Sequence, residues 1–292
     1  MSAQTMVDGS PGSPSGPETP APTPRPRRRW GRILAWAALV LVVLVAAAVA
    51  VFFFGRDRAE QLTQDDALAG FRDSAAEVND DAGLPPAGVY SATASGTESI
   101  GLPGFDEALG PNAPVTVTHD DEGCFTYRAD FNSHHWRAWT FCPTDSATFA
   151  LEGLESWTAR KAPALDIETL STYVCDTPLG FMWDGMADGD TRSGSCTGTS
   201  DADDSVTDDA GEVEVLATGG TTTIDGQDVE TVQIRLTDNL SGDQTGSEVG
   251  TWTLDATTGL PLAISTEASL SGGLSDYSEQ IDLELDTLTP AT

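Results

Sequence analysis

The chain has 292 residues, 14 Lys and Arg against 46 Asp and Glu, and a formal charge of −32. Residues 1–32 carry five arginines (Arg25, Arg27, Arg28, Arg29, Arg32) against Asp8 and Glu18, a charge of +3, whereas residues 59–292 carry seven basic residues against 43 acidic ones, a charge of −36. So acidic a body excludes nucleic-acid binding, which needs Lys and Arg on phosphates, and excludes lying flat on anionic lipid.

Residues 1–26 hold seven prolines among Ser, Thr and Gly. Such a composition cannot bury a core, so residues 1–32 are expected to form a disordered Pro/Arg-rich tail. Next comes Ile33 to Phe54, ILAWAALVLVVLVAAAVAVFFF, 22 residues without a charge. As a helix it spans about 33 Å, enough for a hydrocarbon core of about 30 Å. RPRRRWGR precedes it directly. The positive-inside rule therefore predicts a single transmembrane helix over 33–54, with a cytoplasmic N-terminus and an extracellular C-terminal part. A cleaved signal peptide would have a shorter apolar region ending at small residues, and VFFF continues this one past Ala46–Ala50.

Residues 55–84 read as a juxtamembrane helix and linker. Thr63 and Asp66 form a capping-box pattern, Leu68, Phe71, Ala75 and Val78 recur at helical spacing, and Gly83-Leu84-Pro85-Pro86 ends the segment. From Val89 the pattern is strands, expected near 89–99, 115–119, 124–131, 136–142, 148–158, 212–217, 221–225, 228–236, 248–254, 262–270 and 277–288. Asp225-Gly226 predicts a type I′ hairpin. The acidic run 201–212 reads as a loop or a weak boundary. Residues 85–292 are thus expected to be one mainly β extracellular domain: a curled antiparallel sheet, half-barrel-like, with one or two helices.

One hairpin can be derived in detail. If 124–131 pairs with 135–142, paired numbers sum to 266, and Phe125, Tyr127, Trp139 and Phe141 share one face while Cys124 opposes Cys142 on the other. Opposed residues in a non-hydrogen-bonded pair lie about 4.5 Å apart at Cα, within disulfide reach. This predicts Cys124–Cys142 and leaves Cys175–Cys196. All four cysteines follow the apolar segment, as suits an oxidising compartment.

Catalytic motifs are missing: no GxSxG, no SxxK, no free cysteine near a histidine. No enzyme activity, cofactor or metal site is expected. His119 falls beside Cys124, far from His134 and His135 at the hairpin tip, and all three read as surface turn residues. Asp184, Asp188 and Asp190, and the aspartates of 201–209, lack the spacing of a calcium loop. The apolar stretch PLGFMWDGM (178–186) is unusual inside a loop rich in Gly and Asp. Phe181, Met182, Trp183 and Met186 are read either as a plug for one end of the sheet or as a contact for a ligand or partner.

Residues 241–270, with Gly123-Cys124, Trp139 through Cys142 and the Cys175–Cys196 loop, resemble an uncharacterised family of membrane-anchored extracellular β domains from high-GC Gram-positive (actinobacterial) bacteria. The likeness spans roughly residues 85–290 and carries no activity. More distantly, Trp252, Asp255, Thr258, Gly259, Leu260 and Pro261 are similar to the strand–turn–strand element of half-barrel carriers of lipoproteins and lipoglycans. Two functions are therefore expected: an extracytoplasmic non-catalytic binding module for an apolar ligand or an envelope protein, or a lipid or lipopeptide carrier with a half-barrel cavity. Neither involves nucleic acid.

Overall fold

The structure is a computed structural model and describes residues 28–54, 58–74, 83–101, 104–162, 165–272 and 276–292. The proline-rich tail, Ala75 and Val78 lie outside them. Two compact units are distinct, one N-terminal and one from Val51 onward.

In the first, helix α1 (Arg28–Phe54) contains a 19-residue stretch, Ile33–Val51, long and apolar enough to cross a membrane, with no part of it buried. The second opens with α2 (Gln64–Ser74). Its capping box forms as expected: Asp66 Oδ2 accepts from the Thr63 amide (3.0 Å), and Thr63 Oγ1 accepts from the Asp66 amide (3.3 Å). Phe71 is buried, and the Gln64 amide group donates to Val89 O at 2.8 Å.

Fourteen strands follow: β1 (Gly88–Tyr90), β2 (Ala92–Ser99), β3 (Glu107–Leu109), β4 (Val115–His119), β5 (Phe125–Asn132), β6 (His135–Thr144), β7 (Ala147–Ala162), β8 (Leu165–Met182), β9 (Thr191–Ser200), β10 (Val206–Ile224), β11 (Gln227–Gly242), β12 (Gln244–Asp255), β13 (Pro261–Gly272) and β14 (Tyr277–Leu285). They form one antiparallel sheet in the order β1-β4-β5-β6-β7-β8-β9-β10-β11-β12-β13-β14-β2-β3. Consecutive strands pair from β4 to β14. The exception makes the shape. β1 lies at one end of the sheet and β2 next to the other end, yet only Ser91 separates them. One segment of chain thus holds both ends, so the sheet must curl until they meet. Ala291 bridges back to Val89, and Asn112 to Thr93, across the same junction. The curled half-barrel expected from the strand pattern is present.

Alternation sorts each strand into an inner and an outer face. In β14, Glu279, Ile281, Leu283 and Leu285 point inward, while Ser278, Gln280, Asp282 and Glu284 are exposed. The Asp225-Gly226 turn has φ of 48° and 74°, the two left-handed residues that a type I′ hairpin requires. The 124–142 hairpin has the derived register, Phe125↔Phe141 through Asp130↔Trp136, with both expected disulfides: Cys124–Cys142 and Cys175–Cys196.

Two expectations need correcting. The Gly- and Asp-rich stretch closed by Cys175–Cys196 is a loop only over residues 183–190; β8 runs to Met182 and β9 starts at Thr191, with Cys175 directly opposite Cys196. Of the acidic run 201–212, read as a loop or a weak boundary, residues 201–205 are a loop, but no boundary falls there: β10 begins at Val206 and runs for 19 residues. The aspartates there build turns. Asp201 accepts from the Leu170 amide (2.7 Å) and Asp203 from the Ser205 amide (3.1 Å).

Candidate functional site: a charged belt beneath an interior cavity

The sheet registers stack the inward side chains in rows that run from strand to strand. One row is apolar: Ala94, Leu283, Ile264, Trp252, Ile234 and Val215 oppose one another in turn across β2, β14, β13, β12, β11 and β10. Trp252 makes edge contacts with Trp139 (5.2 Å) and Phe181 (5.3 Å), and Phe141 lies between Phe125 and Phe181 at 5.1 Å each. This end is filled. The turn after β12 closes it. Asp255 accepts from the Thr257 and Thr258 amides (2.6 and 3.1 Å), and Gly259, at φ 71°, lies so close to Phe149 that a Cβ would come within 2.6 Å of its ring.

Four residues further along each strand the row changes character. Glu98, Glu279, Ala268, Glu248, Asp238 and Gly211 oppose one another across the same six strands. Four carboxyls on one row repel and are stripped of water, so cations must reach them from elsewhere. They come from β6 and β7. Arg137 donates through Nη1 to Glu279 and through Nη2 to Glu248, both at 2.9 Å. His135 Nε2 lies 2.7 Å from Glu279 Oε1, an ion pair without good hydrogen-bond alignment, and its Nδ1 lies 3.7 Å from Glu98. Arg160 pairs closely with Glu98 and reaches Glu107 at 3.5 Å. Glu98, His135, Arg137, Arg160 and Glu279 are all buried.

The pKa shifts follow this arrangement. Burial alone would depress His135, but Glu98 and Glu279 outweigh it and raise its pKa. Burial alone would raise Glu279, but Arg137 and His135 outweigh that and hold it at about 2. Asp238, and Asp209 one row further on, go the other way. Burial first, then neighbouring carboxyls (Glu248 for both, Asp209 for Asp238), hold them well above the ordinary carboxylate range. Arg137 offsets this only in part for Asp238, because it is already shared by two glutamates.

Above the belt the barrel is not filled. A cavity of ≈ 180 Å³ opens there, floored by Arg137, Asp209, Asp238, Glu248 and Glu279. Its walls carry Leu154, Ile167, Leu240 and Leu270 beside Ser156, Thr158 and Thr169. Glycines shape the floor. A Cβ on Gly211 would come within 2.7 Å of Asp238 Oδ1, and one on Gly198 within 2.3 Å of the Tyr173 ring.

The residues singled out in the sequence lie elsewhere. Phe181, Met182 and Trp183 are 1 %, 8 % and 8 % exposed, within the aromatic core, and Met186 packs against it. This is the plug arrangement, not an exposed contact face. β8 runs through Met182 because its inner face joins the aromatic cluster, and Arg192 covers the Trp183 ring at 5.0 Å. The histidine expectation is also overturned for two of the three. His134 and His135 are 5 % and 0 % exposed, and His135 is a member of the belt. The sequence held a signal for this: the hairpin register gives His135 and Arg137 the same inward parity as Trp139 and Phe141. Likewise Glu279 shares parity with Ile281 and Leu283, and Glu98 with Ala92 and Ala94. Among the described residues no group of three or more His, Cys, Asp or Glu has metal-binding geometry.

No protein family, curated protein or solved structure matches the chain.

Proposed function

We propose that this chain is a single-pass membrane protein whose extracytoplasmic β unit is a non-catalytic binding module, with its ligand site in the cavity above the charged belt. The observation that carries this is the division of the barrel interior, packed solid at one end and hollow at the other over fixed polar groups. Binding sites combine such apolar walls with a few placed polar groups. A cavity of ≈ 180 Å³ suits a small molecule, since a cavity of about 150 Å³ already takes benzene. The exposed apolar helix after five arginines supports the anchor, with the N-terminus in the cytoplasm, and the two disulfides suit an oxidising exterior.

The second reading, a lipid or lipopeptide carrier, draws on the apolar wall residues Leu154, Ile167, Leu240 and Leu270 at the hollow end. Against it stands the aromatic packing, which leaves an acyl chain no path deeper into the barrel. Native mass spectrometry of the full chain, gently extracted from its own host membrane, tests both. A small molecule released on denaturation supports the module, and a stoichiometric protein partner would move its site to the outer surface. A co-purifying lipid supports the carrier. The orientation is tested separately by fusing a reporter active only in the cytoplasm after Thr292: it should be silent, and a strong signal refutes the topology.

A further inference from the structure

We infer that the cavity selects a small organic cation, an ammonium group on a compact apolar body, with the ammonium seated between Asp209 and Asp238. This rests on the reading that the cavity is a ligand site and adds the class of ligand.

The argument begins with charge. Every cation of the belt is already committed: Arg137 to Glu279 and Glu248, Arg160 to Glu98 and Glu107, and His135 to the glutamates Glu98 and Glu279. Asp209 and Asp238 have neither an ion pair nor a hydrogen-bond donor among the described residues. Among the described residues three buried atoms of the cavity floor are left without a hydrogen-bond partner: the acceptors Asp209 Oδ1 and Glu279 Oε1, the second beside His135, and the donor Arg137 Nε, which an ammonium does not satisfy. Asp209 Oδ1, with no cation beside it, is the one that calls for a donor-bearing guest. Folded interiors satisfy nearly all such groups, so an unsatisfied acceptor on a cavity floor points to a guest that completes it.

Shape agrees with charge. Gly211 leaves the room in which the Asp238 carboxyl lies across β10, and any side chain there would displace it. The same cavity lining is apolar at Leu154, Ile167 and Leu240, the last directly opposite Asp209, so a guest with a charged head and an apolar body meets surface that matches both. The size, ≈ 180 Å³, limits that body to about one ring.

The electrostatics supply a consequence. The charged and titratable groups that share the cavity lining with the pair are Glu248, Glu279, Asp203, Arg137 and Arg160, with the phenols of Tyr173 and Tyr277. Burial and the surrounding carboxyls favour protonated aspartates in the free protein. An ammonium between them favours the ionised forms. Uptake therefore expels protons, and affinity rises with pH until the aspartates ionise unaided.

The test uses the full chain in lipid nanodiscs, with empty discs subtracted, and titration calorimetry at about 0.15 M salt to suppress non-specific attraction to the acidic surface. The probes are benzylammonium, its neutral analogue benzyl alcohol, and the anion benzoate. Benzylammonium is expected to bind roughly tenfold or more tightly than benzyl alcohol, with benzoate not binding and with proton release on uptake. In the variant with Asp209→Asn and Asp238→Asn, which removes two repelling carboxyls and keeps their shape, the preference for the cation should vanish while benzyl alcohol binding and a cooperative melt persist. If wild type binds benzyl alcohol as well as benzylammonium, the cavity remains a ligand site and the cation inference is wrong. If the preference survives in the variant, the cation sits elsewhere and the inference is again wrong. If none of the three probes binds, the inference fails together with the ligand-site reading.

Discussion

Replacing Arg137 with Met tests the belt most directly. Met roughly fills the space of the stem but leaves Glu279 and Glu248 without the guanidinium that each contacts at 2.9 Å. Breaking a buried pair by removing one partner costs about 3–5 kcal/mol. For a unit of this size, each kcal/mol lowers the melting temperature by about 2–4 °C, so a fall of about 6–20 °C is expected near neutral pH. Part of any loss could be packing, because Arg137 also lies over the Trp139 ring at 5.2 Å. The pH dependence separates the two contributions. Glu279 is held at about 2 in the wild type, below its ordinary 4.5, so its ionised form contributes stability above about pH 4.5 that is lost as pH falls toward 2. The variant lacks most of that contribution and gains by protonating Glu279. The gap between wild type and variant should therefore narrow from about pH 7 to about pH 3, whereas a packing loss is constant with pH. Thermal melts followed by near-ultraviolet circular dichroism across that range decide the matter. A gap below about 1 kcal/mol, or one that does not change with pH, would refute the ion-pair account.

Asp238→Asn should stabilise the protein by about 2 kcal/mol near pH 8 and hardly at all near pH 4, measured by the same melts, because a carboxyl with a raised folded pKa costs stability as pH climbs above its unfolded value. A destabilised Asp238→Asn protein at pH 8 would show that the carboxylate is paired. Removing the first disulfide by Cys124→Ala with Cys142→Ala should cost about 3 kcal/mol through the freed unfolded chain, read by denaturant titration, and non-reducing peptide mapping should find no link between that pair and Cys175 or Cys196. Gly259→Ala should lower stability by about 2 kcal/mol or more, since the residue is left-handed and its Cβ would press on the Phe149 ring; an unchanged melting temperature would place that turn away from the core. Met182→Ser with Trp183→Ser should cost at least about 3 kcal/mol if these side chains plug the barrel, and near zero if they are a contact surface.

Much of the fold was legible where two independent signals coincided. Aromatic parity and cysteine opposition chose the same register for the 124–142 hairpin, and Asp225-Gly226 placed a turn with little alternative. β9 was missed because its residues carry strand geometry without strand composition. TRSGSCTGTS has hardly an apolar side chain, since at Gly194 and Gly198 the inner face is covered by Leu179 and Tyr173 from β8. Apolar periodicity cannot register a strand whose neighbour supplies its side chains. The start of β10 was hidden by Asp208 and Asp209, one exposed and one on the cavity floor, which leave no apolar alternation there. The site was the least legible part. Glu98, Glu279, Glu248 and Asp238 look like four more acids in a chain that has 46, and only sheet order, which joins strands as distant as β2 and β14, shows that they share one row.

The segment 88–99 that holds both ends of the sheet also sets a schedule for folding. Thr93 meets Asp286, 193 positions later in the chain, and the whole of β2 pairs with β14. A ribosome delivers β2 long before β14 exists, so through most of synthesis the early strand has one ladder edge with nothing to bond. Meanwhile the hairpins from β4 to β13 can assemble locally, each with its sequence neighbour. Closure then becomes a single late, long-range event, which slows folding and exposes an unpaired edge to other chains while it waits. The acidic outer face, which keeps such intermediates apart by mutual repulsion, suits a protein obliged to spend that interval open.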